Sequence, residues 1–249
     1  MRALAALLLL AGVLACAGAR AQDYAGILAR SALEARDLPF PTEPSPPDFS
    51  GKAAMALWKP AGAGPFPALV LVHQCGGLGS GRWNNGAMLD WAKRAYERGY
   101  VVLLVDALGP RGATSVCMGP QQGVYFSRGA KDLLQAAAHL RALPYVDPKR
   151  VAAAGYSWGA MVGLFASSRS IANTLVPGER PAAVVSFYPG CFTLRPNATY
   201  SYELVREDID RPLLVLMGGE DTETPPKDCQ DKLGPLQAAG APEIGRAHV

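Results

Sequence analysis

The chain has 249 residues, of which 49% are hydrophobic and 18% are charged, and its formal net charge is +3. This length and composition fit one large folded domain and exclude an intrinsically disordered chain. The net charge is small, and no basic run or stripe of basic and aromatic residues gives a reason to expect a nucleic-acid partner.

The N-terminus has the pattern of an export signal. A positive region of two residues precedes an apolar stretch at residues 3–17, which is too short to span a bilayer comfortably. Ala19-Arg20-Ala21 then provides the small residues that a signal peptidase requires. We therefore expect residues 1–21 to be removed and the mature chain to be periplasmic or secreted, with no stable membrane insertion. A membrane anchor and a lipoprotein with a lipidated Cys16 are the alternatives.

The rest of the chain is predicted to be a proline-rich arm at residues 22–50, followed by one domain. From residue 51 to 242, apolar runs of strand length alternate with segments of helical periodicity. This alternation predicts an α/β fold, with a mostly parallel sheet and helices on both of its faces. The predicted strands are 53–58, 67–73, 100–105, 150–156, 182–187 and 213–217, and the predicted helices are 88–98, 130–143, 158–168 and a segment near 232–239.

Four cysteines remain once the signal is removed, which is an even number for an oxidising compartment. Their spacing shows no CxxC pair and no histidine partner, so we expect no metal site. Four cysteines allow three pairings, and the residue pattern leaves all three open. These cysteines are Cys75, Cys117, Cys191 and Cys229.

The strongest chemical signal is Gly155-Tyr156-Ser157-Trp158-Gly159, a G-x-S-x-G pattern between a predicted strand and a predicted helix. In this context the serine occupies a tight turn, which lifts its hydroxyl above the sheet at the N-terminus of the helix. The flanking glycines are needed because a Cβ there would collide with neighbouring backbone. The pattern predicts that Ser157 is a nucleophile, and an incidental Gly-Ser loop is the alternative.

A serine hydroxyl is a weak nucleophile and needs a base, usually histidine, which a carboxylate orients. In an enzyme with this elbow, the acid follows the serine in the chain and the histidine follows the acid. The strand predicted at 213–217 leads into a loop that contains Asp221, our candidate for the acid. Glu220 is the alternative, since the roles alone accept either carboxylate.

Two backbone N–H groups are expected to bind the oxyanion of the tetrahedral intermediate. One belongs to Trp158, the residue after the nucleophile. The other comes from the loop after the strand that ends at His73, and Cys75 is the candidate in that loop. His73 itself is expected to be a structural hydrogen-bonding residue rather than the base.

At these residues the chain resembles the dienelactone hydrolase family, specifically its exported branch. The resemblance covers about residues 67–229 and implies an α/β-hydrolase that acts on ester or lactone bonds without a cofactor. It also implies Asp221 as the acid and Cys75 as the oxyanion residue. Founding members carry a cysteine nucleophile, so Ser157 argues against dienelactone itself as the substrate. The matching stretches are VLVHQCGGLGSGRW, YVVLLVDALGPRGATSVC, ALPYVDPKRVAAAGYSWG, VSFYPGC and LLVLMGGEDTETPPKDC.

The resemblance also favours one cysteine pairing. In the strand order usual for this fold, the strands that end near residues 73 and 106 are neighbours, as are those that end near residues 188 and 218. Each pair of neighbouring strands would bring two cysteine-bearing loops to the same edge of the sheet. We therefore predict two disulfides, Cys75–Cys117 and Cys191–Cys229.

The triad also needs a histidine beyond Asp221, and the only one in the sequence is His248. The resemblance implies a further strand, a loop that bears the histidine and a final helix after the segment near 232–239. We expect these three elements to be missing from the 249 residues. His73 and His139 precede the serine, and His139 is expected to be a surface or packing residue.

The last residues have a specific interpretation. Residues 244–249 are the translation of ATC GGA AGA GCA CAC GTC, the start of a common short-read sequencing adapter. We interpret residues 243–249 as an adapter artefact, and we expect residues 241–249 to be irregular. His248 would then lie outside hydrogen-bonding reach of Ser157. The alternative is a genuine tail in which His248 is catalytic.

The sequence thus predicts a hydrolase of small-molecule esters or lactones that forms an acyl-enzyme on Ser157 and needs no cofactor. The 249 residues alone are expected to be inactive, because their base is missing. A thioesterase or peptidase on the same fold is one alternative. A non-catalytic binding protein that keeps the fold is another.

Overall fold

The computed structural model describes residues 25–79, 86–197, 200–241 and 244–248. Residues 196, 197, 200 and 244–248 are described by their backbone alone. The predicted signal at residues 1–21 lies outside these ranges. Within them, no helix is long and apolar enough to cross a membrane.

A seven-stranded sheet forms the centre of the domain, with its strands in the order β1-β3-β2-β4-β5-β8-β9. Strand β1 pairs antiparallel with β3, and every other neighbouring pair is parallel. Strands β6 and β7 form a separate antiparallel hairpin. The strands are β1 (Ala56–Trp58), β2 (Phe66–Val72), β3 (Val101–Val105), β4 (Val146–Tyr156), β5 (Val184–Phe187), β6 (Thr193–Asn197), β7 (Tyr200–Glu203), β8 (Leu213–Met217) and β9 (Ile244–His248).

Helices cover both faces of the sheet, as the alternation predicts. Successive residues of a strand point to opposite faces. Accordingly, Val70 and Val72 of β2 pack with α3 and α4, whereas Leu71 packs with α2. The helices are α1 (25–31), α2 (Gly86–Glu97), α3 (Phe126–Arg141), α4 (Trp158–Ala166), α5 (Arg169–Leu175) and α6 (Pro226–Ala238), with a short 3-10 helix at Gly109–Arg111.

The continuous apolar runs form the interior of the sheet. All five residues of β3 are buried, because helices cover a parallel sheet on both sides. Burial of each such valine or leucine side chain contributes about 1.5–3 kcal/mol relative to an exposed one. The carboxyl ends of these strands meet at one edge, which carries the segments that follow β2, β3, β4, β5 and β8.

The prediction that residues 241–249 are irregular and that the last strand is missing is wrong for residues 244–248. These residues form β9, which pairs in parallel with β8 from Leu213↔Ile244 to Met217↔His248. An open strand edge offers unpaired N–H and C=O groups to any segment that reaches it. Backbone pairing therefore builds β9 although its sequence, IGRAH, lacks the apolar run of the other parallel strands.

The N-terminal arm packs against the domain rather than lying free. Leu28 and Leu38 are buried in the main core. The guanidinium of Arg128 is fully buried and donates hydrogen bonds to the carbonyl oxygen of Ala32 at 2.8 Å and to Asp37 at 2.9 Å. It also pairs with the buried Asp132 at 2.7 Å. The arm and α3 thus share one buried charge network.

Replacing Arg128 with alanine is expected to lower the free energy of unfolding by about 3–5 kcal/mol, because it removes one partner of a buried ion pair and the anchor of the arm. Equilibrium unfolding in urea measures this change. Lys227→Ala is the matched control, because it breaks an exposed pair with Asp231 and should have a far smaller effect. A loss for Arg128→Ala no larger than the control's would contradict the anchoring role.

Candidate active site

Ser157 lies in the tight turn that the sequence predicts, between the end of β4 and the start of α4. Its backbone angles are φ 50° and ψ −112°, a conformation that residues other than glycine rarely adopt. Its N–H donates to the carbonyl oxygen of Phe187 at 3.0 Å, so the neighbouring strand holds the strained turn in place. Strain of this kind clusters at functional sites because the surroundings must maintain it.

The two glycines of the motif make the turn sterically feasible. A Cβ on Gly155 would lie 2.1 Å from the carbonyl oxygen of Gly159. A Cβ on Gly159 would lie 2.5 Å from the carbonyl oxygens of Val72 and His73. The first turn of α4 therefore packs directly on the end of β2, which places Trp158 beside the segment that leads to Cys75.

Asp221, the first of the two acid candidates, follows β8, and hydrogen bonds within its loop hold its carboxylate in place. Its Oδ1 accepts the N–H groups of Glu223 at 2.9 Å and of Thr224 at 2.8 Å, and its Oδ2 accepts the Thr224 hydroxyl at 2.8 Å. These hydrogen bonds, led by that from the Thr224 N–H, hold the pKa of the Asp221 carboxyl below its usual range. Glu220 is an exposed loop residue.

Two residues that the sequence analysis missed, Tyr188 and Thr224, link the end of β5 to Asp221. Tyr188 has a positive φ of 42° and donates its N–H to the carbonyl oxygen of Leu216 at 2.7 Å. Its carbonyl oxygen lies 3.4 Å from the Thr224 hydroxyl that binds Asp221. The Asp-x-x-Thr spacing in the loop could have indicated the local cap on the acid, but no sequence signal marks the backbone of Tyr188.

The sheet fixes the separation between the serine and the acid. The strands that precede them, β4 and β8, are separated by β5 alone, so they lie about 10 Å apart at the usual strand spacing. Ser157 is half-buried and remains accessible. This gap is wide enough for an imidazole to hydrogen-bond the serine on one side and the carboxylate on the other.

His73 is a structural residue, as expected. Its side chain is fully buried, its Nε2 accepts the N–H of Ala107 at 3.0 Å, and its Nδ1 lies 2.6 Å from the carbonyl oxygen of Gln74. Its ring also stacks on that of Trp158, with the centroids 5.8 Å apart. Both ring nitrogens are therefore engaged, and the neutral form is favoured because burial lowers the pKa of His73.

The neutral state of His73 predicts a pH dependence of stability. The unfolded chain protonates this residue as the pH falls through about 6.5, whereas the folded chain resists protonation to a lower pH. The free energy of unfolding should therefore fall below pH 6.5, by at most about 1.4 kcal/mol per pH unit from this residue. Urea unfolding between pH 5 and pH 7.5 should show a shallower slope for His73→Gln than for the unaltered chain.

Of the other two histidines, the structure describes the side chain of His139 and only the backbone of His248. His139 packs against Phe40, and its Nε2 lies 2.8 Å from the carbonyl oxygen of Pro41. The backbone of His248 pairs with Met217 at the end of β9, three strand spacings, or about 14 Å, from β4. The side chain of His248 lies outside the described part of the chain, so its separation from Ser157 stays a prediction.

Both predicted disulfides are present. Cys75 and Cys117 are bonded with their Cα atoms 4.8 Å apart, and Cys191 and Cys229 with theirs 4.9 Å apart. The first bond attaches the loop after β3 to the proposed oxyanion segment, and Val116 reinforces it by donating its N–H to the carbonyl oxygen of Cys75 at 2.8 Å. Among the residues whose placement is described, no three His, Cys, Asp or Glu side chains are grouped to hold a metal ion.

Comparisons with known proteins agree with this architecture. The family model described as "Dienelactone hydrolase family" matches residues 53–242, and no curated protein matches the chain. A protein of Klebsiella pneumoniae named as a candidate dienelactone hydrolase has a TM-score of 0.57 and 16% identity, over 78% of this chain and 79% of that one. The butyrate-bound esterase Est2 of Thermogutta terrifontis has a TM-score of 0.55 and 16% identity, over 78% and 77% of the respective chains. At these identities the structures share the α/β-hydrolase fold.

Proposed function

Since the chain belongs to the dienelactone hydrolase family, we propose that it hydrolyses carboxylic esters or lactones of small molecules through an acyl-enzyme on Ser157. The observation that carries the proposal is the strained backbone of Ser157 at the start of α4. A serine held in this way presents its hydroxyl at the edge of the sheet where the acid loop also lies. Thioesterase or peptidase activity, and a purely binding role, have no observation of their own in favour.

In the proposed reaction, Ser157 Oγ attacks the ester carbonyl and the alcohol leaves, which forms an acyl-enzyme that water then hydrolyses. The N–H of Trp158 is the proposed first donor to the oxyanion, because the first N–H groups of a helix have no acceptor within the helix. The N–H of Cys75 is the proposed second donor. Its support is the contact of Gly159 with the end of β2, together with the disulfide that holds this segment.

Asp221 is the proposed acid, whose role is to orient an imidazole and to stabilise the imidazolium that forms. Its capped carboxylate supports this assignment. The base is the component that the described side chains do not supply, because His73 and His139 are engaged elsewhere. We propose that the base is a histidine other than these two and other than His248.

We further propose that residues 51–242 are the catalytic domain, which is in line with the family match over residues 53–242, and that residues 243–249 are an adapter artefact.

Action outside the cytoplasm is also proposed. The two disulfides support it, because such bonds persist in oxidising compartments.

Trapping the intermediate tests the reaction class. A form of the protein that releases p-nitrophenol from p-nitrophenyl butyrate is mixed with this ester and quenched in acid, and the peptide that contains residues 155–159 is examined by mass spectrometry. We expect a butyryl group on Ser157 under conditions where p-nitrophenol is released. Release of p-nitrophenol without acylation of this peptide would show that another mechanism operates.

A further inference from the structure

A cavity of about 370 Å³ lies beside the proposed oxyanion segment. One wall is Gly77–Gly79, which continues the segment after β2, and the opposite wall comes from the loop after β3. We call it the β3-loop cavity. Its volume is within the range of small-molecule sites. The residues that line it are Ala53, Ala54, Gly77, Leu78, Gly79, Asp106, Leu108, Gly109, Gly112, Ala113 and Thr114.

The cavity is held in a fixed position relative to the proposed oxyanion site. The Cys75–Cys117 bond and the hydrogen bond from Val116 N–H to the carbonyl oxygen of Cys75 join its two walls. Within the loop, the backbone N–H groups of Leu108 and Gly109 donate to Asp106 Oδ1 at 3.0 and 2.8 Å. A substrate group that extends from the oxyanion site along Gly77–Gly79 therefore meets a preformed space.

Asp106 is the one charged residue among those that line the β3-loop cavity. Its Oδ1 holds the loop, and its Oδ2 occupies the space that a Cβ on Gly109 would need, since the two atoms would lie 2.4 Å apart. The nearest cation in the sequence of the loop, Arg111, does not balance this charge. Both carboxylate oxygens of the buried Asp132 bind its guanidinium, at 2.6 and 2.8 Å.

We propose that the β3-loop cavity binds the cationic ammonium end of a small ester substrate through Asp106 and disfavours anionic substrates. This inference rests on the proposed ester hydrolysis. His73 Nε2 lies 4.0 Å from Asp106 Oδ1, but burial keeps that imidazole neutral, so it does not balance the carboxylate. A carboxylate without a balancing cation in a concave site attracts a cation and repels an anion, and the small side chains around it leave room for an alkylammonium group. A neutral ester is neither attracted nor repelled by the charge of Asp106.

Binding of two isosteric alcohols tests the cavity without any need for catalysis. Choline carries a quaternary ammonium group, and 3,3-dimethyl-1-butanol has the same shape without the charge. Titration calorimetry or ligand-observed NMR should give a dissociation constant for choline that is on the order of tenfold lower. Asp106→Asn should abolish this preference, because the amide oxygen can still accept the two loop N–H groups while the charge is gone.

Asp147→Asn is the matched control, because it removes a carboxylate near the start of β4, at the opposite edge of the sheet. It should leave the preference unchanged. If Asp106→Asn fails to fold, Ala54→Lys places a cation at an exposed position that lines the cavity, and it should abolish the preference as well. Equal binding of the two alcohols, or a preference that persists in these variants, would overturn the proposal.

Hydrolysis separates this proposal from the proposed function. In a catalytically competent form, kcat/KM for butyrylcholine should exceed that for 3,3-dimethylbutyl butyrate, and Asp106→Asn should remove the difference. Hydrolysis of both esters at equal kcat/KM would overturn the cavity assignment and leave the esterase proposal standing. A choline preference that depends on Asp106, without hydrolysis of either ester, would support the cavity and count against the esterase.

Discussion

Replacing Ser157 with alanine is expected to lower kcat for p-nitrophenyl butyrate by up to about a millionfold while leaving the fold intact. The hydroxyl is the proposed nucleophile, and loss of one member of a triad can remove nearly the whole contribution of the triad. Alanine fits the turn, because it adds no atoms to a position whose backbone the neighbouring strand already holds.

The control for this variant is Ser50→Ala, which removes an exposed hydroxyl that bonds to Asp48 in the N-terminal arm. It should keep full activity. Circular dichroism and urea unfolding check that Ser157→Ala stays folded. Turnover of a folded Ser157→Ala protein at the unaltered rate would show that another residue is the nucleophile. The assay compares each variant with a parent protein that hydrolyses the ester.

The second large effect concerns that base. A protein made of the 249 residues is expected to hydrolyse the same ester at a rate near that of Ser157→Ala, because no described imidazole is placed to take the serine proton. His248→Ala should therefore change nothing, and free imidazole in the buffer should accelerate the reaction by acting as an external base. Initial rates with and without imidazole measure both effects.

Activity of the 249-residue protein would contradict this prediction. If the 249-residue protein were active and His248→Ala abolished its activity, His248 would be the base and the adapter interpretation of the tail would be wrong. Its backbone lies at the end of β9, beside the strand that leads to Asp221. His139→Ala is the control for removal of an imidazole from another part of the fold.

The central strands could be predicted from the sequence, because a strand buried on both faces has to be apolar along its whole length. The runs at 67–73, 100–105 and 213–217 lie within a residue of the observed strands. Two of the segments that were missed, α1 and β9, are held by tertiary contacts. Helix α1 is held by the core and by Arg128, and β9 by the open edge of β8.

The candidate site, like the fold, has one part that the sequence predicts and another that it does not. The G-x-S-x-G pattern predicts the turn at Ser157, because a Cβ on either glycine would collide with backbone, that of the turn itself for Gly155 and that of β2 for Gly159. Contacts between distant loops leave no such local pattern. The link from Tyr188 through Thr224 to Asp221 depends on β5 and β8 being neighbours, which becomes visible only in three dimensions.

The order of the two disulfides along the chain has a consequence for biogenesis. Cys75 pairs with Cys117 before Cys191 or Cys229 is reached, so the two covalent loops, which span 42 and 38 residues, neither overlap nor interlock. In an exported chain that emerges N-terminus first and loses the predicted signal with Cys16, joining each remaining cysteine to the next to appear gives the native pairing. Production of this protein should therefore require an oxidant for its thiols and depend little on an isomerase that reshuffles wrong bonds.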